Sequence, residues 1–163
     1  ARIAMERLAK VYHELYGVSS MGMRFFSVYG PHERAKGPYA NNVSQFLWAM
    51  REGKAPEIFG DGTQSRDFVN VKDIVQACLM ASDSKVGCDA VNVGTGKGTS
   101  FNKVIEMLNE ALGTSIKPAY LPNPIKNYVS HTLADLTKIK KLLSYNSTIS
   151  LEEGIAQIVE ANE

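Results

Sequence analysis

Two segments place polar and charged side chains where an apolar strand is predicted to emerge into a loop. These segments are 24–31 and 59–73, and open α/β sheets bind ligands at such strand ends. Arg66, in the second segment, carries a planar fork of donors that suits a phosphate group. On the residues alone, phosphate binding by Arg66 and a surface ion pair with a nearby aspartate are equally supported. The aspartates in reach are Asp61, Asp67 and Asp73.

A glycine-rich loop at 94–100 lies between a predicted strand and a predicted helix. A phosphate-binding P-loop needs G-x-x-x-x-G-K-[ST], because the lysine and the hydroxyl must reach phosphate and metal together. Here Val91 stands at the first glycine position and Gly98 at the hydroxyl position, so the spacing fails. The dinucleotide fingerprint G-x-G-x-x-G fails too, because its third glycine is Thr99. We therefore expect a flexible strand-to-helix turn.

Metal and nucleophile chemistry have no support in the sequence. The histidines are far apart and lack cysteine or carboxylate neighbours at metal-ligand spacing, so no metal site is predicted. No G-x-S-x-G elbow is present, and neither cysteine stands beside a candidate base, which argues against nucleophilic hydrolysis. These residues are His13, His32, His131, Cys78 and Cys88.

The composition is that of a globular domain in a reducing compartment. The chain has 163 residues, 44% hydrophobic and 21% charged, with a net charge of +1. This charge predicts no attraction to nucleic acid or to a membrane surface. Two cysteines in otherwise ordinary sequence, with no signal segment and no apolar run of roughly 18–20 residues, predict a cytoplasmic protein.

Alternating strands and helices must position the polar segments. Apolar periodicity and cap signals predict helices at 2–16, 42–50, 73–82, 101–112, 135–143 and 151–161, and strands at 21–28, 57–59, 67–71, 90–93 and 116–121. This alternation predicts an α/β architecture. Strand 21–28 is expected to be buried, and segment 29–39 to be irregular and exposed. The first helix already runs at Ala1, without a cap, which suggests a chain cut from a longer protein.

The two polar segments resemble sequence elements of extended short-chain dehydrogenases that act on nucleotide sugars. The elements are R-[FY]-F-N-x-[YF]-G-P and F-G-D-G-x-Q-x-R-D-[FY]-[IV]-x-V-x-D. Shorter matches follow in the same order, namely N-[IV]-G at 92–94, A-D-x-[ST]-K at 134–138 and the last helix of the family at 150–155. The resemblance is nearest to the nucleotide-sugar epimerases that are similar to UDP-glucose 4-epimerase.

The resemblance implies the C-terminal part of a Rossmann-type, NAD-dependent enzyme. Residues 1–30 would be the last helix and strand of a truncated Rossmann domain, and 31–163 mainly the substrate-binding domain, with interleaved returns to the Rossmann sheet. In the family a tyrosine, with lysine four residues later, removes the proton of a sugar hydroxyl while hydride passes to NAD and back. Arg2 falls at the lysine position, which would place the tyrosine before Ala1. Without that tyrosine and the glycine-rich NAD loop, this chain alone is not expected to turn over substrate.

The resemblance also implies contacts with the diphosphate of the substrate. Arg66 would hold the diphosphate, and Ser27 would contact it where the family usually has asparagine. Asn42 and Val43 begin the helix whose N-terminal amides would face the same phosphates. Lys126 lies near a second phosphate-binding arginine of some members.

Further roles carried by the resemblance concern the base, the cofactor and a partner subunit. The strand holding Glu57 and Phe59 would pair its backbone with the base, in a UDP-sugar by preference. Phe25 and Phe26 would line the cofactor and sugar pocket. Helix 2–16 would pack in a homodimer, although its apolar residues would serve equally to cover a sheet.

Two other functions remain open on the sequence. A nucleotide-sugar 4,6-dehydratase shares both main elements and differs near the catalytic tyrosine, which this chain does not contain. A non-catalytic nucleotide-sugar-binding module would also keep the substrate contacts while lacking turnover.

Overall fold

The computed structural model describes residues 1–161 as helices and short strands in alternation. The helices are α1 (Arg2–Tyr16), α2 (Asn42–Arg51), α3 (Val71–Asp83), α4 (Phe101–Leu112), α5 (Thr137–Leu143) and α6 (Leu151–Glu160), with a 3₁₀ helix at Arg34–Tyr39. The strands are β1 (Ser20–Phe25), β2 (Ser27–Tyr29), β3 (Glu57–Phe59), β4 (Ser65–Arg66), β5 (Phe68–Asn70), β6 (Cys88–Val93), β7 (Thr99–Ser100) and β8 (Ala119–Leu121).

The strands pair mostly in parallel. β1 pairs with β6, β2 with β5 and β3 with β8 in parallel, whereas β4 and β7 are antiparallel. Parallel pairs need crossover connections, and helices supply them here. The α/β prediction is confirmed.

Two apolar clusters fill the interior. One lies among α2, α4 and α6 and centres on Phe46, Ile58, Phe101 and Ile155. The other lies under α3 and α5, around β5 and β6. Phe101, the first residue of α4, packs its ring 5.7 Å from that of Phe46, so the start of α4 is fixed beside β4.

Several helix ends follow the signals in the sequence. Gly17 and Gly113 end α1 and α4 in the left-handed conformation, with φ of 67° and 66°, which glycine adopts at little cost. Ser150 and Glu153 form the predicted capping box at α6. These ends were predictable because each depends on residues within one turn of the boundary.

The predicted strand 21–28 is divided in two because the chain changes its partner strand. The Phe26 N–H donates to the Val93 carbonyl at 3.0 Å, and the next N–H, of Ser27, donates to the Asp67 carbonyl at 2.9 Å. The strand therefore leaves β6 and joins β5. The prediction of full burial was wrong for β1, since its residues are half-buried or exposed.

The prediction of an exposed, irregular segment 29–39 was also wrong in part. Tyr29 and Glu33 are buried, and a 3₁₀ helix occupies the second half of the segment. The Glu33 carboxylate accepts hydrogen bonds from Ser44 Oγ at 2.5 Å and from Lys36 Nζ at 2.6 Å. These bonds tie the segment to the first turns of α2.

Helix α1 packs against β1 and β6 and leaves much of its apolar surface uncovered. Ile3, Leu8 and Leu15 are all more than half exposed. No helix within residues 1–161 is long and apolar enough to cross a membrane.

Gly154 gives a test of the packing between α6 and β2. A Cβ on Gly154 would lie 1.9 Å from Tyr29 Oη, and the buried Tyr29 ring has no space to move aside. Gly154→Ala is therefore expected to lower the free energy of unfolding by about 1–3 kcal/mol, the usual cost of overpacking. Thermal denaturation measures this effect. Ala156→Ser, at an exposed position of the same helix, is the matched control, and an equal midpoint for both variants would contradict the packing.

Candidate functional site

A pocket of about 550 Å³ lies between α2, β3 and the start of α4. Four residues singled out in the sequence line it, namely Asn42, Glu57, Phe59 and Arg66. The remaining wall includes Gln64, Phe101, Ile125 and Tyr128. The fold thus brings two of the predicted diphosphate-binding residues, Asn42 and Arg66, to one pocket with the predicted base-binding strand.

Arg66 is held in the pocket wall by oxygens of two separate segments. Its Nη1 donates to the carbonyls of Ser65 at 2.8 Å and Ser130 at 3.0 Å, and its Nη2 donates to the Tyr128 hydroxyl at 2.7 Å. The guanidinium carbon also lies 5.2 Å from the Tyr128 ring centroid and 5.6 Å from that of Phe101. These contacts fix the guanidinium before any ligand binds.

Of the two alternatives that the sequence left open for Arg66, the surface ion pair with an aspartate does not form within residues 1–161. Asp67 and Asp73 are buried and accept hydrogen bonds mainly from backbone amides. Asp61 accepts from Thr63, whose hydroxyl and amide lower the pKa of the Asp61 carboxyl. None of these three aspartates therefore pairs with Arg66.

A count of its N–H donors shows how many hydrogen bonds Arg66 can still make to a ligand. A guanidinium has five N–H donors. Three are used by the bonds to Ser65, Ser130 and Tyr128. Within the described part of the chain, the Nε–H and one Nη2–H have no partner. Two donors on one guanidinium match the oxygens of one phosphate group.

β3 forms the side of the pocket that the base would contact. It pairs with β8, and within residues 1–161 no strand pairs with its other edge. Ile58 is buried, whereas Glu57 and Phe59 are exposed. The Gln64 side chain donates to the Phe59 carbonyl at 2.6 Å and so fixes the turn after the strand.

The start of α2 lies at Asn42, as predicted, and a side chain caps it. Asn41 caps the helix, and its Oδ1 accepts from the Val43 amide at 3.0 Å. The Val43 side chain is buried and its amide already has this acceptor, so a contact of Val43 with a phosphate stays a prediction. Asn41 Nδ2 also donates to Ser27 Oγ at 3.2 Å. Ser27 thus supports the helix start, and Asn42 is the residue that lines the pocket.

Besides Ser27 and Val43, four predicted site residues lie outside the pocket wall. Lys126 is exposed on the loop between Ile125 and Tyr128, and Arg2 is exposed on the first turn of α1. Phe25, at the carboxyl end of β1, is 44% exposed, and Phe26 packs partly buried against the apolar cluster around β6.

The glycine-rich loop after β6 is a structural turn, and it is tied down rather than flexible. The Asp67 carboxylate accepts from the amides of Thr95 at 2.8 Å, Gly96 at 2.9 Å and Ala134 at 3.1 Å. The Thr95 hydroxyl donates to it as well. An internal carboxylate therefore already occupies the amides that would otherwise attract an anion.

Sequence reasoning missed Gln64 and Tyr128 as parts of the site. Gln64 lies within segment 59–73, and its place between Gly62 and Arg66 was the available signal. Tyr128 lies 62 residues from Arg66 along the chain, and no local pattern connects the two.

Comparisons with known proteins identify the family of this chain. Residues 1–94 match the model of the NAD dependent epimerase/dehydratase family. UDP-glucuronate 4-epimerase of Thermodesulfobacterium geofontis is 40% identical over 155 residues, covering 94% of this chain and 46% of that protein. The chain spans about half the length of the curated relatives it matches.

Solved structures of similar proteins are close in fold. UDP-glucose 4-epimerase from Thermotoga maritima, solved with UDP-glucose, has a TM-score of 0.89 at 35% identity, over 97% of this chain and 50% of its own. UDP-glucuronic acid 4-epimerase from Bacillus cereus, in complex with UDP-glucuronic acid and NAD, has a TM-score of 0.81 at 28% identity, again over 97% and 50%.

Proposed function

Because the chain belongs to the NAD dependent epimerase/dehydratase family, we propose that it is the nucleotide-sugar-binding portion of an NAD-dependent nucleotide-sugar epimerase. The proposal rests chiefly on Arg66, whose guanidinium is fixed in the pocket wall with two donors unused. Residues 1–30 would then be the last helix and strand of a Rossmann domain, and residues 31–163 mainly the substrate-binding domain, with interleaved returns to the Rossmann sheet.

The pocket offers phosphate-binding donors and, beside them, a free strand edge for a base, as a UDP-sugar requires. One phosphate binds the Nε–H and Nη2–H of Arg66, with Asn42 at the neighbouring helix start. Uracil presents a donor and acceptors along one edge, as a β-strand does, and it pairs with the open edge of β3 beside Glu57 and Phe59. Lys126 lies on the loop next to the pocket and adds positive charge near the diphosphate.

We propose that NAD binds only to the longer protein. The amides of Thr95 and Gly96 already bind the Asp67 carboxylate, so they are not free for the phosphates of a dinucleotide. Phe25 and Phe26, at the carboxyl end of β1, supply an apolar surface for the cofactor and the sugar. Arg2 keeps the positive charge of the family lysine, but a guanidinium does not exchange protons near neutral pH.

Two further proposals concern the exposed face of α1 and the two cysteines. We propose that α1, with its exposed Ile3, Leu8 and Leu15, forms a homodimer contact, so sedimentation should give twice the covalent mass. We also propose a cytoplasmic location, where nucleotide sugars are at hand and Cys78 and Cys88 stay reduced.

The direct test of the proposed function is product analysis on the longest native polypeptide that contains this chain. UDP-glucose or UDP-glucuronic acid is supplied with NAD, and the sugar is followed by NMR. Conversion to the C4 epimer supports the epimerase. Loss of water to a 4-keto-6-deoxy sugar points to the dehydratase instead, and binding without turnover points to a non-catalytic module. Absence of any nucleotide-sugar binding would contradict all three.

A further inference from the structure

Tyr128 is fixed next to Arg66 although it belongs to an irregular segment. The Ser65 N–H donates to the Ser130 carbonyl at 2.9 Å, and the Thr132 N–H donates to the Ser65 carbonyl at 3.1 Å. These bonds dock the segment after Tyr128 along β4. The phenol is thereby held with its ring 5.2 Å from the Arg66 guanidinium carbon.

The position of the hydroxyl hydrogen of Tyr128 follows from the bond to Arg66. The Tyr128 oxygen accepts Nη2–H at 2.7 Å, and Arg66 has no acceptor to offer in return. The phenolic hydrogen must therefore point elsewhere. Within residues 1–161 it has no acceptor, and the side chain forms part of the pocket wall. A positive charge at this distance also polarises the O–H and makes it a stronger donor.

We infer that Tyr128 is a ligand-binding residue, whose hydroxyl donates to an oxygen of the same phosphate that Arg66 binds. The inference rests on the proposed function and adds a third hydrogen-bond donor to the proposed phosphate site. Arg66 Nε–H, Arg66 Nη2–H and Tyr128 O–H together form one phosphate-binding unit. The unit is assembled from strand β4 and a loop distant in sequence.

Replacing Tyr128 with phenylalanine distinguishes this role from two others. The substitution removes the hydroxyl and at the same time frees a donor of Arg66. A tyrosine that merely competes with the ligand for Arg66 would therefore give tighter binding after Tyr128→Phe. A tyrosine that only packs would give unchanged binding. A tyrosine that donates to the phosphate gives weaker binding.

The experiment measures the dissociation constants of UDP and uridine by calorimetry on the longest native polypeptide. Tyr128→Phe is expected to weaken UDP binding by about tenfold, the loss of one hydrogen bond to a charged group, and to leave uridine binding and the unfolding midpoint unchanged. Tyr120→Phe is the matched control, since that hydroxyl donates to Asn102 Oδ1 at 3.0 Å outside the pocket wall.

Unchanged or tighter UDP binding, or an equal loss for uridine, would overturn the role of Tyr128. If the unsubstituted protein binds UDP and loses binding on Arg66→Ala, such a result leaves the proposed function standing. If the unsubstituted protein does not bind UDP, the proposed function and the role of Tyr128 fail together.

Discussion

Replacing Arg66 with alanine is expected to weaken UDP-sugar binding by tenfold or more. The substitution removes two donors to phosphate, and hydrogen bonds of a charged group contribute about 1.5–3 kcal/mol each. It also removes the positive charge, so the affinity of the variant should depend less on salt than that of the parent. Calorimetric titration with UDP-glucose at two salt concentrations measures both effects.

Two further variants separate the effect of the Arg66 guanidinium from the loss of a positive charge alone. Arg66→Lys keeps the charge but loses the fork, so an intermediate affinity is expected. Lys141→Ala removes an exposed charge from α5 and should bind as the parent does. A folded Arg66→Ala protein with parental affinity would rule out the phosphate role.

Replacing Asp67 with alanine is expected to give the largest loss of stability. The substitution leaves the amides of Thr95, Gly96 and Ala134 without their acceptor, and an unsatisfied amide costs about 1–3 kcal/mol when buried. Because Gly96 is exposed and its amide regains water, we expect a total of roughly 3 kcal/mol. Chemical denaturation measures the change.

Asp67→Asn tests whether the loss follows from the number of acceptors. The amide keeps one carbonyl oxygen, so about half of the effect should remain. Asp61→Ala is the matched control, since within residues 1–161 that exposed carboxylate bonds only to Thr63 of its own turn, and its transition should move much less. Equal transitions for Asp67→Ala and the parent would show that the carboxylate does not hold the loop.

What the sequence predicted well depended on nearby residues. The ends of α1 and α4 at Gly17 and Gly113, and the capping box at Ser150, each need only one turn of chain. The division of strand 21–28 at Phe26 could not be predicted in this way, because it depends on which strand lies alongside. Alternation of apolar residues contains no such information.

In the candidate site, too, local features were predictable and contacts between distant segments were not. Arg66 was found from its residue type and its place after a strand, and the resemblance added Asn42, Glu57 and Phe59. The sequence left the partner of Arg66 open between a phosphate and a nearby aspartate, and the structure instead gives it two backbone carbonyls and the Tyr128 hydroxyl. The buried Asp67 carboxylate accepts hydrogen bonds from amides distant in sequence. Tyr128, which contacts Arg66, lies 62 residues away along the chain. Tertiary pairing determined both outcomes.

The most direct measurement is a crystal structure of the longest native polypeptide with UDP bound. We predict one phosphate within about 3 Å of Arg66 Nε and of the Tyr128 hydroxyl, which is a normal hydrogen-bond distance. We also predict the base along the open edge of β3. A diphosphate bound elsewhere, for example in the second cavity beside Lys97 and the start of α6, with Arg66 still bonded only to protein oxygens, would contradict these predictions.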